Sequence, residues 1–187
     1  MNEIEKSTRV LRKEHQLIES AIITIADLIK ELEKGVAFDR RRIWEMAQSF
    51  ATYVGRWHHS KEDFLLSMIR ARRGCSADYP VRSFYEEHHF VEVIVARLKK
   101  TSDEYLNASG DNSEPLIQSF RDVVDFYPGH MWKADHILFP VADELLSEND
   151  QTVLVQHFAW IDSAIGVDAD EQLRAIVAEF RPQAEVA

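Results

Sequence analysis

The sequence predicts an all-α protein, an up-down-up-down four-helix bundle with a C-terminal extension of two shorter helices. Three observations carry that prediction. Apolar residues recur at three- and four-residue steps along most of the 187-residue chain. Only six glycines and five prolines are present, too few for a strand-and-turn architecture. One pattern also occurs twice, at nearly the same internal distance. Glu14-His15 is followed, 43 residues after the histidine, by His58-His59-Ser60-Lys61-Glu62-Asp63. Glu87-His88 is followed, 42 residues after its histidine, by His130-Met131-Trp132-Lys133-Ala134-Asp135. Each copy spans one pair of long helices, as in a bundle built from two helix pairs.

The first helix runs from about Ser7 to Lys34, with Val10, Leu11, Leu17, Ile18, Ile22, Ile25, Leu28, Ile29 and Leu32 on its apolar stripe. Gly35 is its stop. Asp39 caps a second helix that continues to about Arg73, ended by Gly74, and Cys75 to Pro80 form a connecting loop. The third helix spans about Val81 to Ala108. Ser109-Gly110-Asp111-Asn112 is a turn cluster, and Ser113 with Pro115 opens the fourth helix. Pro128 and Pro140 lie inside that helix and predict a kink or break near each, because proline removes a backbone donor. One tail helix begins near Asn149 or Asp150, and the last begins at Asp168 with Glu171 as a capping-box partner. Residues 1–147 therefore read as the bundle, and 148–187 as an extension packed on the same domain.

Composition narrows the class. Apolar residues at 45% and charged residues at 29% are ordinary for a soluble globular chain. A net charge of −10 disfavours nucleic acid and anionic lipid as partners of the whole molecule. The runs Arg40-Arg41-Arg42 and Arg70-Ala71-Arg72-Arg73 read as solvated helix ends, the second complementing a helix C-terminus. The lone Cys75 excludes an internal disulfide and a thiolate metal site. No secretory leader or membrane span is visible, so the expected location is the cytoplasm.

The repeated motif points to metal chemistry. Residues four apart share a helix face, so His58 and Glu62 reach one point, and His88 stands in the same relation to Glu92. Asp135 is rotated about 140° from His130, an offset that suits reaching a second ion. His15 contributes from the first helix, and Glu19 falls outside the ligand set. Four imidazoles with carboxylates, buried without a cation, would make a costly core; two divalent ions would satisfy them. Imidazole mixed with carboxylate suits iron or manganese, with zinc as an alternative occupant. The competing reading is four polar core histidines bonded to neighbouring acids. Glu92 is either a ligand or a solvated glutamate beside Arg97. Glu14 and Glu87 either orient histidines or lie at the surface. His59, His89 and His136 are expected outside the ligand set, since adjacent residues point about 100° apart, and His157 reads as packing. Phe50, Tyr53, Trp57, Phe126, Tyr127 and Trp132 flank the motifs and read mostly as core.

With those residues in view, the chain resembles the hemerythrin family, in particular the bacterial HHE cation-binding domains. The likeness rests on His15, His58 with Glu62, His88 with Glu92, His130 with Asp135, and the segment from Lys133 to Asp143, and covers about Thr8 to Leu146. It implies a four-helix bundle around two iron ions with an open position for O₂, NO or a peroxide. It further implies that His15, His58, His88 and His130 are terminal ligands, that Glu62 and Asp135 bridge, and that Glu92 is an additional terminal ligand. Three positions depart from the family pattern. Glu92 stands where oxygen carriers have histidine, Ala134 where many bacterial relatives have glutamate, and Ser67-Met68 where Phe-Pro is usual. The expected role is sensing, storage or scavenging of a small ligand. The alternative is a di-iron redox enzyme for peroxide or NO detoxification, or for iron donation to damaged centres. No nucleophile–base pair or glycine-rich cofactor motif is visible, so any catalysis would belong to the metals.

Overall fold

The structure, a computed structural model, describes residues 6–73, 79–110, 112–165 and 168–180. Among these the regular elements are all helical. They are α1 (Ser7–Glu33), α2 (Arg40–Thr52), π1 (Tyr53–His58), α3 (His59–Arg73), α4 (Val81–Asn107), α5 (Glu114–Lys133), π2 (Ala134–Leu138), α6 (Phe139–Leu145), α7 (Glu148–Ile165) and α8 (Asp168–Phe180). The expected helix stop at Gly74 and the loop residues Cys75 to Asp78 lie outside the described residues. No described helix is long and apolar enough to cross a membrane.

Local chemistry accounts for the helix ends. Gly35 has φ +75°, with its own N–H on the Leu32 carbonyl and that of Val36 on the Glu31 carbonyl. That pair of bonds is a Schellman stop, and the left-handed backbone at its centre favours glycine. The Asp39 carboxylate accepts from the Arg41 N–H and caps α2. Ser147 and Asp150 cap α7 reciprocally, Asp150 accepting from the Ser147 N–H and Ser147 Oγ from the Asp150 N–H. The Arg72 guanidinium ties this cap to the end of α3.

The second and fourth long helices each contain a wide turn, in the second where continuous α-helix was expected and in the fourth just before Pro140, where a kink or break was. In the second, π1 ends with the His59 N–H bonded to the Val54 carbonyl, five residues back. Gly55 lies within π1, and a Cβ there would stand 3.4 Å from the Val95 side chain, so α4 packs closely at this point. In the fourth, α5 runs unbroken through Pro128. Pro140 falls in the first turn of α6. The carbonyl its missing N–H would have served, that of His136, lies in π2, where the helix has already widened.

Two apolar clusters enclose a polar layer. Along α1 the order is Leu11 in one cluster, then His15, then Leu17, Ile18 and Ala21 in the other. Along α4 it is Val81 and Phe84, then His88, then Val91 and Ile94. The other two long helices cross in the reverse order: Val54 and Trp57, the His58–Glu62 turn, then Leu65; and Tyr127, His130, then Leu138. The extension packs on this body, α7 against α3, π1 and α1, and α8 against α2, α1 and π1. Of the flanking aromatics, Phe50, Tyr53, Trp57 and Tyr127 are buried, Phe126 is partly buried, and Trp132 is 56% exposed.

Candidate metal centre

At the middle of the polar layer is the carboxylate of Glu62, fully buried. Its two oxygens face different histidines. Oε1 lies 3.5 Å from His15 Nε2 and 3.6 Å from His58 Nε2. Oε2 lies 3.1 Å from His88 Nε2 and 3.3 Å from His130 Nε2. Four rings from four long helices thus point the same nitrogen at one carboxylate.

The opposite nitrogen of each ring is held by an acid. His58 Nδ1 is 2.8 Å from Glu14, His88 Nδ1 2.7 Å from Asp63, His130 Nδ1 2.9 Å from Glu87, and His15 Nδ1 3.2 Å from Asp135. A carboxylate only accepts, so each Nδ1 carries the proton and donates. In the neutral ring, Nε2 is then a bare lone pair aimed at an anionic oxygen. That arrangement is repulsive unless a cation stands between. An acid behind the ring and a lone pair in front is the arrangement of a metal-ligating histidine.

Orphaned polar atoms supply the test of fit. His15 Nε2, His58 Nε2, His59 Nε2 and Glu62 Oε1 are all buried without a hydrogen-bond partner. Each such group costs about 1–3 kcal/mol, and two ions would satisfy all four. Ligand atoms gather into two sets, each within 4.8 Å: His15, His58 and Glu62; and His59, Glu62, His88 and His130. Glu62 belongs to both, one oxygen to each. Aromatic rings flank the sets, with Phe139 stacked 5.4 Å from His15 and Phe84 edge-on 5.4 Å from His130.

Without an ion, the same charges move protons. Burial pushes the His15 imidazole down, but Asp135 and Glu62 outweigh it and raise its pKa to about 9. His88 is likewise raised to about 9 by Asp63 and Glu62, against burial. Burial dominates at His58 and His59, which are lowered, His59 well below its usual range. Burial pushes Glu62 up, yet the surrounding imidazoles hold it well below the carboxylate range. Burial also pushes Glu87 up, and His130 with Lys133 bring it down to about 2.

Of the residues singled out in the sequence, His15, His58, Glu62, His88 and His130 meet in these sets. Glu92 does not. Its side chain is 77% exposed and contacts His89, because the inward face of α4 runs through Phe84, His88 and Val91, so position 91 takes the next inward turn. Asp135 stands at the outer nitrogen of His15, where Arg12 Nη1 also holds it at 3.0 Å, and joins neither set. His59, expected outside, is 4% exposed and belongs to the second set. The sequence carried its signal: His59 stands three residues before Glu62, as much on that face as His58 four before. Glu14 and Glu87 do orient histidines, each serving the ring of a different helix. Glu19, His89 and His136 are exposed, or nearly so, away from the sets, and His157 stacks on Phe64.

Buried imidazoles grouped around one shared carboxylate, inside a body of packed helices, define a helical cation-binding protein. The chain belongs to the hemerythrin family: it matches the hemerythrin HHE cation binding domain over residues 6–142. No curated protein and no solved structure matches it significantly.

Proposed function

We propose that this is a hemerythrin-type di-iron protein that binds O₂, NO or a related small ligand for sensing, storage or scavenging. The observation that carries the reading is Glu62, a fully buried carboxylate with one oxygen toward each of two histidine sets. A pair of iron ions in these sets would supply an open coordination position and one-electron redox chemistry toward the ligand. His15, His58 and Glu62 would hold one ion; His59, His88, His130 and Glu62 would hold the other. The first set offers fewer protein ligands, which leaves more room for a small molecule there. Phe139, itself buried, stacks on His15 there. Manganese or zinc would fit the same donors.

The architecture that goes with this reading is an up-down-up-down bundle over residues 1–147 and a two-helix extension, 148–187, packed on the same domain. Its support is the alternating order in which the four long helices cross the apolar clusters.

Metal analysis of anaerobically purified protein tests the proposal. The expected result is two iron ions per chain and a change in the visible spectrum on exposure to O₂ or NO. Fewer than about one transition ion per chain overturns it. Peroxide separates binder from enzyme: a stoichiometric spectral change fits the binder, and sustained turnover would assign a redox enzyme instead.

A further inference from the structure

The family match ends at residue 142, yet the C-terminal extension reaches the centre. Lys61 is 1% exposed, an unusual position for a lysine. Its Nζ lies 2.7 Å from Glu14 Oε1 and 2.6 Å from Asp162 Oδ1, over the Trp57 ring at 3.5 Å. Glu14 uses its other oxygen to accept from His58 Nδ1 at 2.8 Å. A continuous chain of charged contacts therefore runs from Asp162 in α7 through Lys61 and Glu14 to His58. The second half repeats part of it, with Lys133 on Glu87 and Glu87 on His130. There the lysine is 36% exposed and solvated.

We propose that Asp162 is a positioning residue for the metal centre, dividing the charge of Lys61 with Glu14 so that Glu14 keeps its full acceptor strength for His58. The assignment rests on the metal-binding reading above. With the Asp162 carboxylate gone, Lys61 bears on Glu14 alone. The hydrogen bond to His58 Nδ1–H weakens, the ring becomes less basic, and Nε2 becomes a poorer ligand. Only the ion held by His15, His58 and Glu62 is affected. The extension thereby sets the affinity of one ion and not of the other.

The test uses the full chain, as wild type, Asp162→Asn and Asp162→Glu, with Co(II) as the probe. Stepwise titration reads the affinity of each ion, and ¹⁵N–¹H spectra of the metal-free protein read the His58 Nδ1–H resonance. In Asp162→Asn one Co(II) is expected to bind about three- to tenfold more weakly, somewhat less than removal of a direct histidine partner costs. The other Co(II) binds as in wild type, the His58 resonance moves upfield, and Asp162→Glu restores both readouts. If wild type takes up two Co(II) and Asp162→Asn matches it within error, the relay is overturned while metal binding stands. Equal weakening of both ions, or a shifted resonance with unchanged affinities, also overturns it. Wild type that binds a single Co(II) overturns this proposal, and wild type that binds fewer than about one overturns the metal reading with it.

Discussion

The two halves of the bundle, residues 7–73 and 81–145, use one plan and execute it differently. In each, an acid on the first long helix (Glu14, Glu87) holds the histidine of the second (His58, His130), and a lysine three residues on (Lys61, Lys133) holds that acid. In each, an acid five residues after that histidine holds the first histidine of the other half: Asp63 on His88, Asp135 on His15. The groups that orient rings are therefore duplicated. The groups at the centre are not. Glu62 has Ala134 as its counterpart, and His59 has Met131. One carboxylate has two oxygens, so a single central residue can serve both sets. The outer acids cannot be shared, because each ring needs its own.

The comparison is broken most directly at its centre. Glu62→Gln keeps the shape and removes the shared charge, so both ions should be lost together, each by about 100-fold or more in affinity. Loss of one ion alone, read by metal stoichiometry, would show that Glu62 serves one set only. Next in size is the pair His59→Ala and Met131→Ala at matching positions. The first should lower stoichiometry toward one ion per chain, and the second should leave two bound. Equal behaviour of the two variants would remove His59 from the centre.

The pH response sharpens the comparison, since His15 and His88 occupy matching positions and both are raised from 6.5 to about 9. In the metal-free protein their charged form is favoured by folding. The stability they contribute is fully present below pH 6.5 and is lost as pH rises through about 9. Metal affinity should run the other way and increase over that interval, because the ion no longer competes with a proton. Thermal melts of metal-free and loaded protein from pH 6 to 10 check both signs, and parallel curves would contradict the account. The smallest effect is expected at Glu92. Glu92→Ala should leave metal content unchanged and stability within about 0.5 kcal/mol; a lost ion would return Glu92 to the ligand set.

Much of this was legible from spacing. Helix stops at Gly35 and caps at Asp39 follow from local backbone chemistry, and they stand where glycine and aspartate predict them. His58 and Glu62 could be singled out as an i, i+4 pair on one face, and His15, His88 and His130 by the pattern that occurs twice. Spacing placed His59 on that face too, three residues before Glu62, but gave no direction for its ring or for the Asp135 carboxylate. Both lie at or beside wide turns, π2 and π1, where an α-helical angle no longer describes which way a side chain points.

By itself the sequence determined the helical periodicity, the duplicated His and acid pattern, and membership in a metal-binding family, because these depend on order along the chain. Only the tertiary structure decided which acid meets which imidazole. Glu14 adjoins His15 in the chain but serves His58, and Glu87 adjoins His88 but serves His130. Such pairings form between helices, across gaps of more than 40 residues, and side-chain direction at packed interfaces sets them. The same packing brings Asp162 of α7 onto Lys61, a contact that nothing in the spacing of either residue announces.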